Sequence, residues 1–408
     1  AAPAPTPPST PEPTSTSIPA AAPALSPSEA QIHRNAKKLI GELGQRAWEF
    51  LVTLTEGYSP RASATAEEEE AADFLRRRFE AMGYHAEIQP FAIELLSAET
   101  PHVLLHTPGD QEVESFPMRL TGTGEASGLL SDAGRARDGD LPEGGLKGRI
   151  AIIGRGQITF EEKVTRVTEA GAIAAVVYNN EPGLFGGRLT TQASVPVVAI
   201  SQESGDEIVA LMAVGEVEAT VSIVMETRDS RNVIAELPGS LGDGKVVVLG
   251  AHYDTVPHTH GANDNGSGVA VLMTVAGEVL EESYPFGLRF IVFGSEEVGL
   301  FGSRHYVDSL SPEERDAVIA MLNFDVPGSG DTNQVLGNFD LMRRVLDYGR
   351  AIGIDVDVGA ETQGASSDHA TFMQADIPAA FFLADDLSRI NAPGDDLEFV
   401  NPELMGTA

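Results

Sequence analysis

Three segments of almost continuous apolar residues, each ending in polar side chains, constrain the fold of this chain more than any other feature. They are KVVVLGAHYD, LRFIVFGSEE and VIAMLNFD, which span residues 245–254, 288–297 and 318–325. Runs with apolar residues at both odd and even positions are typical of strands buried on both faces. Segments with helical spacing separate them, so the sequence predicts an α/β fold with a mostly parallel central sheet sandwiched by helices.

Helical spacing of apolar residues predicts the helices that cover this sheet. They are expected from residue 28 onward, over 63–82, over 268–280, near 303–309 and over 341–352. The second has the acids Glu67 to Glu70 in its first turns, where the helix dipole favours negative charge, and Gly83 at its end. We expect these four acids to be solvated.

The composition changes twice along the chain, which predicts three regions. Residues 1–30 are rich in Pro, Ala, Ser and Thr and form an expected disordered linker. Residues 101–227 contain many short β runs, with a strand, helix and strand at 150–153, 160–170 and 173–178. We therefore expect this β-rich unit to interrupt a discontinuous α/β domain of residues 31–100 and 228–408.

Charge and cysteine content exclude several classes of function. The chain has 61 acidic against 27 basic residues, a net charge of −34, which argues against binding to nucleic acid or anionic membranes. It has no cysteine, so disulfides, thiol nucleophiles and thiolate metal sites are excluded. No apolar run approaches the roughly 20 residues of a transmembrane helix.

The opening of the sequence suggests export. It has no initial methionine and begins directly in the Pro-rich linker, as a chain does after removal of a signal peptide. We expect an extracellular protein or one attached to the cell surface.

Chemistry-bearing side chains collect where the buried strands end. One histidine and five carboxylates follow the strands or the turn after the first strand: His252, Asp254, Asp264, Glu296, Glu297 and Asp325. Buried charges need a cationic partner or a metal ion. Histidine and carboxylates without thiolates suit zinc, or manganese or cobalt, in a hydrolytic site of one or two metals.

The adjacent residues Glu296 and Glu297 can take two different roles. Successive side chains at a strand end point in different directions, so one carboxylate can bind metal while the other stays free. A free carboxylate beside a metal can act as a general base for water.

At these residues the sequence resembles the zinc aminopeptidases of peptidase family M28. The motifs that carry the resemblance are HYD at 252–254, GANDNGSG at 261–268, FGSEEVGLFGS at 293–303, NFD at 323–325 and SDHATF at 367–372. The resemblance implies two zinc ions, with the following ligands: His252 and Asp325 on one ion, Asp264 bridging both, and Glu297 on the other. It also implies Glu296 as the general base and Asp254 as the residue that orients His252.

The chain departs from this family at one position. Where the family carries a second-zinc histidine, in a Tyr-His-Thr-Pro-x-Asp-Thr segment, this chain has RINAPGDDLE at 389–398, with Asn391 at the histidine position. The second metal position is then looser, filled by a harder ion, or empty. Compensation by His258, His260 or His369 stays open. The acids at 385, 386, 395 and 396 are expected to be solvated, with the alternative that one near the cleft pairs with the free α-ammonium of a substrate.

The middle region resembles the protease-associated (PA) domain. The resemblance rests on KGRI at 147–150, RG at 155–156, YNN at 178–180 and VPVV at 195–198, in this order. It implies a non-catalytic module that shapes access to the cleft of a peptidase.

The two resemblances, taken with the expected export, indicate a secreted zinc-dependent exopeptidase acting on peptides, with an aminopeptidase favoured. Water activated by metal would attack, with Glu296 as the base. Two alternatives remain: another M28-type reaction, such as carboxypeptidase cleavage or glutaminyl cyclisation, and a binding ectodomain that has lost full metal binding. The pair Glu296 and Glu297 favours catalysis, whereas Asn391 favours the binding ectodomain.

Overall fold

The structure, a computed structural model, describes residues 27–97, 102–106, 109–360 and 366–408. The predicted linker thus lies mostly outside the described residues, and the first helix begins at Pro27. The described residues form two compact units: one comprises residues 27–89 together with 232–408, and the other lies within residues 90–231.

The helices and strands of the described residues are numbered along the chain. The α-helices are α1 (Pro27–Gly57), α2 (Ala66–Met82), α3 (Phe160–Glu169), α4 (Gln202–Val214), α5 (Gly268–Glu278), α6 (Phe301–Ser309), α7 (Pro312–Ala317), α8 (Phe339–Ile352), α9 (His369–Gln374) and α10 (Pro402–Thr407). The strands are β1 (His85–Leu96), β2 (Val103–Leu105), β3 (Gln111–Glu112), β4 (Ser115–Pro117), β5 (Gly124–Asp132), β6 (Ile150–Gly154), β7 (Ala174–Tyr178), β8 (Val197–Ile200), β9 (Glu218–Ile223), β10 (Met225–Leu237), β11 (Val246–His252), β12 (Gly287–Phe293), β13 (Val318–Phe324), β14 (Asn333–Gly337), β15 (Val356–Val358) and β16 (Ala379–Ala384).

The larger unit is built on an eight-stranded sheet in the order β1-β10-β12-β11-β13-β16-β14-β15. Its four central strands β12, β11, β13 and β16 are parallel, while β10 and β14 pair antiparallel to their neighbours in this group. The three apolar segments singled out in the sequence are therefore three adjacent central strands. This confirms the predicted fold class.

Burial on both faces explains why these strands lack apolar and polar alternation. Along β12, Phe290 and Val292 join a core cluster with α1, α2 and α5, whereas Ile291 and Phe293 join a cluster with α6 and α9. Helices thus cover both faces of the sheet. The opposite faces of each strand must both be apolar.

The register brings the ends of the central strands to one edge. His252 pairs with Phe293 of β12, and Gly250 pairs with Asn323 of β13. Residues that follow β11, β12 and β13 therefore emerge side by side at the carboxyl edge, where parallel α/β sheets bind their ligands.

The helix α2 begins at Ala66, three residues later than expected, and ends before Gly83 as expected. Thr65 caps its first turn by accepting a hydrogen bond from the backbone of Glu68, and Gly83 ends it at a φ of 106°. One expectation was wrong here: the side chain of Glu68 is fully buried and only its neighbours in the acid run are solvated. The hydrogen-bond partners of Glu68 are described below with the candidate metal centre.

The second unit is formed by another eight-stranded sheet, in the order β3-β2-β9-β5-β6-β7-β8-β4. Strands β5, β6, β7 and β8 are parallel, and the remaining pairs are antiparallel. The predicted strand, helix and strand are β6, α3 and β7. Val164 and Val167 of α3 cover one face, and Ile208 of α4 covers the other.

Among the helices of the described residues, none combines the length and the apolar character needed to cross a bilayer.

Candidate metal centre

The strand ends bring the predicted side chains together at one place. Two overlapping groups offer ligand atoms within 4.8 Å of one another: His252 with Glu296 and Asp325, and His252 with Asp264 and Glu297. His252 is the last residue of β11, the two glutamates follow β12, and Asp325 follows β13. Asp264 lies in the turn before α5.

His252 is oriented so that one ring nitrogen faces the carboxylates. Its Nδ1 lies 3.2 Å from the backbone oxygen of Asp254, to which a protonated Nδ1 donates. Its Nε2 lies 3.3 Å from Oδ1 of Asp264 and 3.2 Å from Oδ1 of Asp325. With Nδ1 protonated, the Nε2 lone pair faces two acceptor oxygens, which requires a proton or a cation between them.

The spacing of these three atoms suits zinc. Ligands at about 2.0 Å from a tetrahedral zinc ion are about 3.3 Å from each other. The two distances from Nε2 of His252 match this spacing. The donor set of one imidazole and several carboxylates, without sulfur, also fits zinc chemistry. The residues present therefore fit the metal that the resemblance implies.

Burial and mutual repulsion shift the protonation of this cluster. Burial, then the nearby charge of Asp264, raises the pKa of Glu297 to about 9. Burial also raises the pKa of Glu296 well above its ordinary value. Burial opposes protonation of His252, but the charges of Asp325 and Glu296 outweigh it and raise its pKa. Without a cation, the chain must hold protons at these groups.

Asp254 connects the histidine to the glutamate pair. Its Oδ1 accepts a hydrogen bond from the backbone nitrogen of Glu296 at 2.9 Å, and its Oδ2 accepts from that of Glu297 at 3.2 Å. Ser63 donates to Oδ2 as well, at 2.6 Å. The carboxylate lies 3.5 Å from Nδ1 of His252. Asp254 thus fixes the turn after β12, and its carboxylate lies near the ring that the resemblance expects it to orient.

The segment that carries Asp264 is held by an acid from the end of the chain. The carboxylate of Asp395 accepts hydrogen bonds from the backbone nitrogens of Asn263 and Asp264, at 2.7 and 2.9 Å. The peptide bond between Asp264 and Asn265 is cis. The expectation that Asp395 is solvated was wrong: it is buried, and burial raises its pKa to about 6.

Two further buried charges support the site, and sequence reasoning missed both. Arg61 is fully buried, and its guanidinium donates to the backbone oxygens of Tyr253 and Gly261 at 2.6 and 2.9 Å. The carboxylate of Glu68 accepts from the backbone of Ala64 and from the hydroxyl of Ser295. Both lie in the polar segment SPRASATAEEEE at 59–70, which carries no local signal of their burial.

The SDHATF motif contributes a buried acid, Asp368, and a half-buried histidine, His369, beside the cluster. Asp368 is fully buried, and burial raises its pKa to about 7 although the charge of His252 and the hydroxyl of Ser303 act in the opposite direction. His369 stacks on Phe381 with ring centroids 4.6 Å apart, and burial lowers its pKa to about 4. Neither residue belongs to the two ligand groups found in the described residues.

The remaining candidates lie in two loops at the rim. Asn391 lies against Glu297, with its amide 3.1 Å from each carboxylate oxygen; these contacts are hydrogen bonds when the amide nitrogen faces Glu297. The ring of His260 pairs with Asp396. Within the part of the chain that the structure describes, neither His258 nor His260 joins a ligand group.

Comparisons with known proteins agree with this geometry. Residues 232–408 match the model of peptidase family M28, and residues 121–208 match that of the PA domain. Aminopeptidase YwaD of Bacillus subtilis is 30% identical to this chain, over 92% of this chain and 84% of the relative.

Two solved structures show the same fold. A zinc aminopeptidase from Bacillus subtilis, BSAP, is 28% identical with a TM-score of 0.70, over 89% of this chain and 92% of that one. An aminopeptidase from Aneurinibacillus sp. strain AM-1 is 29% identical with a TM-score of 0.65, over 91% of this chain and 94% of that one. The sequence, the fold and the site agree, and the chain belongs to peptidase family M28 and contains a PA domain.

Proposed function

We propose that this protein is a zinc-dependent aminopeptidase that removes N-terminal residues from peptides. The observation that carries the proposal is the convergence of His252, Asp264 and Asp325 at the spacing of zinc ligands, with the carboxyl group of Glu296 beside them. The names of the relatives, which include a zinc aminopeptidase, support the same activity.

The ligand groups indicate which residues would hold metal. His252, Asp325 and Asp264 would hold zinc on one side, and Glu297 with Asp264 would form the other side. Zinc bound there supplies a Lewis acid, which lowers the pKa of water and polarises a peptide carbonyl.

Glu296 would move the proton. Its backbone nitrogen is fixed by Asp254, and its half-buried carboxylate lies with His252 and Asp325. One Oε atom of Glu296 accepts the proton of the attacking water and later delivers it to the leaving amide nitrogen.

The surrounding charge would favour the free amino end of a peptide. The chain has a net charge of −34, and the site itself is rich in carboxylates. A negative potential attracts an α-ammonium group and raises its local concentration. Blocking the amino group removes this attraction.

The direct test is the product pattern from one peptide with free ends and glutamine at its N-terminus. Zinc-loaded protein is incubated with it, and products are followed by mass spectrometry. Successive loss of N-terminal residues supports the proposal. Loss of C-terminal residues, or of ammonia from the glutamine, would replace it with one of the other reactions. An unchanged peptide, with the protein folded and metal bound, would favour a binding ectodomain.

A further inference from the structure

The two sides of the metal centre have different donor atoms. The ligand group with Asp325 and the ligand group with Glu297 share one imidazole, that of His252. The Nδ1 of this ring is directed at the backbone oxygen of Asp254, which leaves Nε2 as its one ligand atom. A single lone pair binds one cation, so a second cation beside Glu297 has no nitrogen ligand from His252.

Asn391 completes the environment of Glu297. Its side-chain amide lies 3.1 Å from both carboxylate oxygens. An amide has two faces: the NH2 end donates to a carboxylate, whereas the oxygen end is a neutral ligand for cations. Rotation of the amide by half a turn exchanges the two ends at the same place.

Backbone conformation and hydrogen bonds of its loop fix the position of Asn391. Its φ of 58° lies in the left-handed region, which asparagine tolerates better than most residues. The next residue, Ala392, accepts a hydrogen bond from the hydroxyl of Thr259 at 3.0 Å. Asp395 of the same loop holds the backbone nitrogen of Asp264. The loop that carries Asn391 is therefore tied to the segment that carries Asp264.

We infer that the Glu297 side is a separate cation position made of oxygen ligands from Asp264, Glu297 and Asn391, which holds zinc much more weakly than the His252 side and so stays open to the harder manganese(II). The His252 side is the zinc position. Carboxylate and carbonyl oxygens suit manganese, magnesium and calcium, whereas imidazole suits zinc. The inference rests on the proposed function for the presence of a metal centre, and it adds the composition of that centre.

Metal content, measured without substrate, tests this assignment. Metal-free protein is loaded with excess zinc and desalted, and bound zinc is counted by elemental analysis. We expect one zinc ion per chain to remain. Manganese is then added to this zinc-loaded protein, and its binding is followed by loss of the paramagnetic resonance signal of free manganese(II). We expect one further ion to bind.

Two variants of Asn391 give opposite results. Asn391→Ala removes the amide oxygen, so manganese binding weakens at least tenfold while the one retained zinc stays. Asn391→His supplies an imidazole at Glu297, so two zinc ions are retained and manganese no longer binds to the zinc-loaded protein. Asn180→His, the same substitution at an exposed position of the PA domain, is the matched control and leaves both counts unchanged.

Three results would overturn the inference: two zinc ions retained by the unaltered protein, manganese binding unaffected by Asn391→Ala, or one zinc ion retained by Asn391→His. The proposed function fails on a different observation. If the unaltered protein holds both metals as described and the peptide is still not shortened, the metal assignment stands and the aminopeptidase proposal falls.

Discussion

Oδ1 of Asp254 lies 2.9 Å from the backbone nitrogen of Glu296, so an acid two residues past the end of β11 fixes the turn after β12. Asp254→Asn replaces one acceptor oxygen with an NH2 group that faces a backbone N–H. We expect this variant to lose about 1–3 kcal/mol of unfolding free energy and to bind zinc about 10–100-fold more weakly. Urea unfolding and zinc titration measure the two effects. Unchanged zinc affinity would show that the turn does not depend on Asp254.

Glu296→Gln removes the proposed base and little else. Glutamine has nearly the same shape, and the backbone nitrogen of residue 296 can still donate to Asp254. We expect turnover to fall by about 10²–10⁴-fold, with bound zinc and melting temperature retained. Glu282→Gln, at an exposed position of the same unit, is the control. Substantial turnover by the Glu296 variant would reassign the base.

Metal binding should release protons. Burial raises the pKa of Glu297 to about 9, so in the metal-free chain this carboxyl is protonated at pH 7.5. A cation displaces that proton because metal ligands must be ionised. Calorimetric titrations with zinc plus manganese, in two buffers with different ionisation enthalpies, should therefore give different apparent heats. Equal heats would mean that no proton is released.

Asp395 is expected to contribute more to the free energy of unfolding than its neighbour Asp396. Asp395 is buried and accepts from two backbone nitrogens, whereas Asp396 is partly exposed. Asp395→Asn sets an NH2 group against one of these nitrogens and should cost about 1–3 kcal/mol. Asp396→Asn removes only its pairing with His260, which should cost less than about 1 kcal/mol. Equal losses in urea unfolding would contradict this assignment.

Because of Lys163, the stability of the PA domain should change with pH in the alkaline range. Lys163 is fully buried, donates to the backbone oxygen of Arg135 at 2.6 Å, and burial lowers its pKa from 10.5 to about 8. Between these values the folded chain has released a proton that the unfolded chain still holds, so stability rises with pH from about 8 upward. Lys163→Met should remove this rise. Urea midpoints at pH 7.5, 8.5 and 9.5, compared between the two proteins, test it.

The residues that follow the central strands are predictable from sequence for a physical reason. Strands buried on both faces are apolar throughout, so His252, Glu296 and Asp325 stand out at their ends. Parallel pairing then places these ends at one edge of the sheet. Helix α2 is predictable for a different reason: the acids in its first turns and the glycine after its last residue are local signals of its two ends.

The buried charges of Arg61, Glu68 and Asp395 are not predictable in this way. Each lies in a polar segment, and such side chains are usually solvated. Their burial depends on partners far along the chain: Arg61 reaches Tyr253 and Gly261, and Asp395 reaches Asn263 and Asp264. Strands β14 and β15 were also missed, because they are short and carry weak β signals.

The central claim is tested most directly by adding zinc to metal-free protein while following hydrolysis of aminoacyl-nitroanilides, with N-acetylated substrates alongside. We predict activity that is absent without metal, appears as zinc fills the His252 position, and is lost when the amino group is acetylated. Equal hydrolysis of free and acetylated substrates, or activity that persists without any metal, would contradict a metal-dependent aminopeptidase.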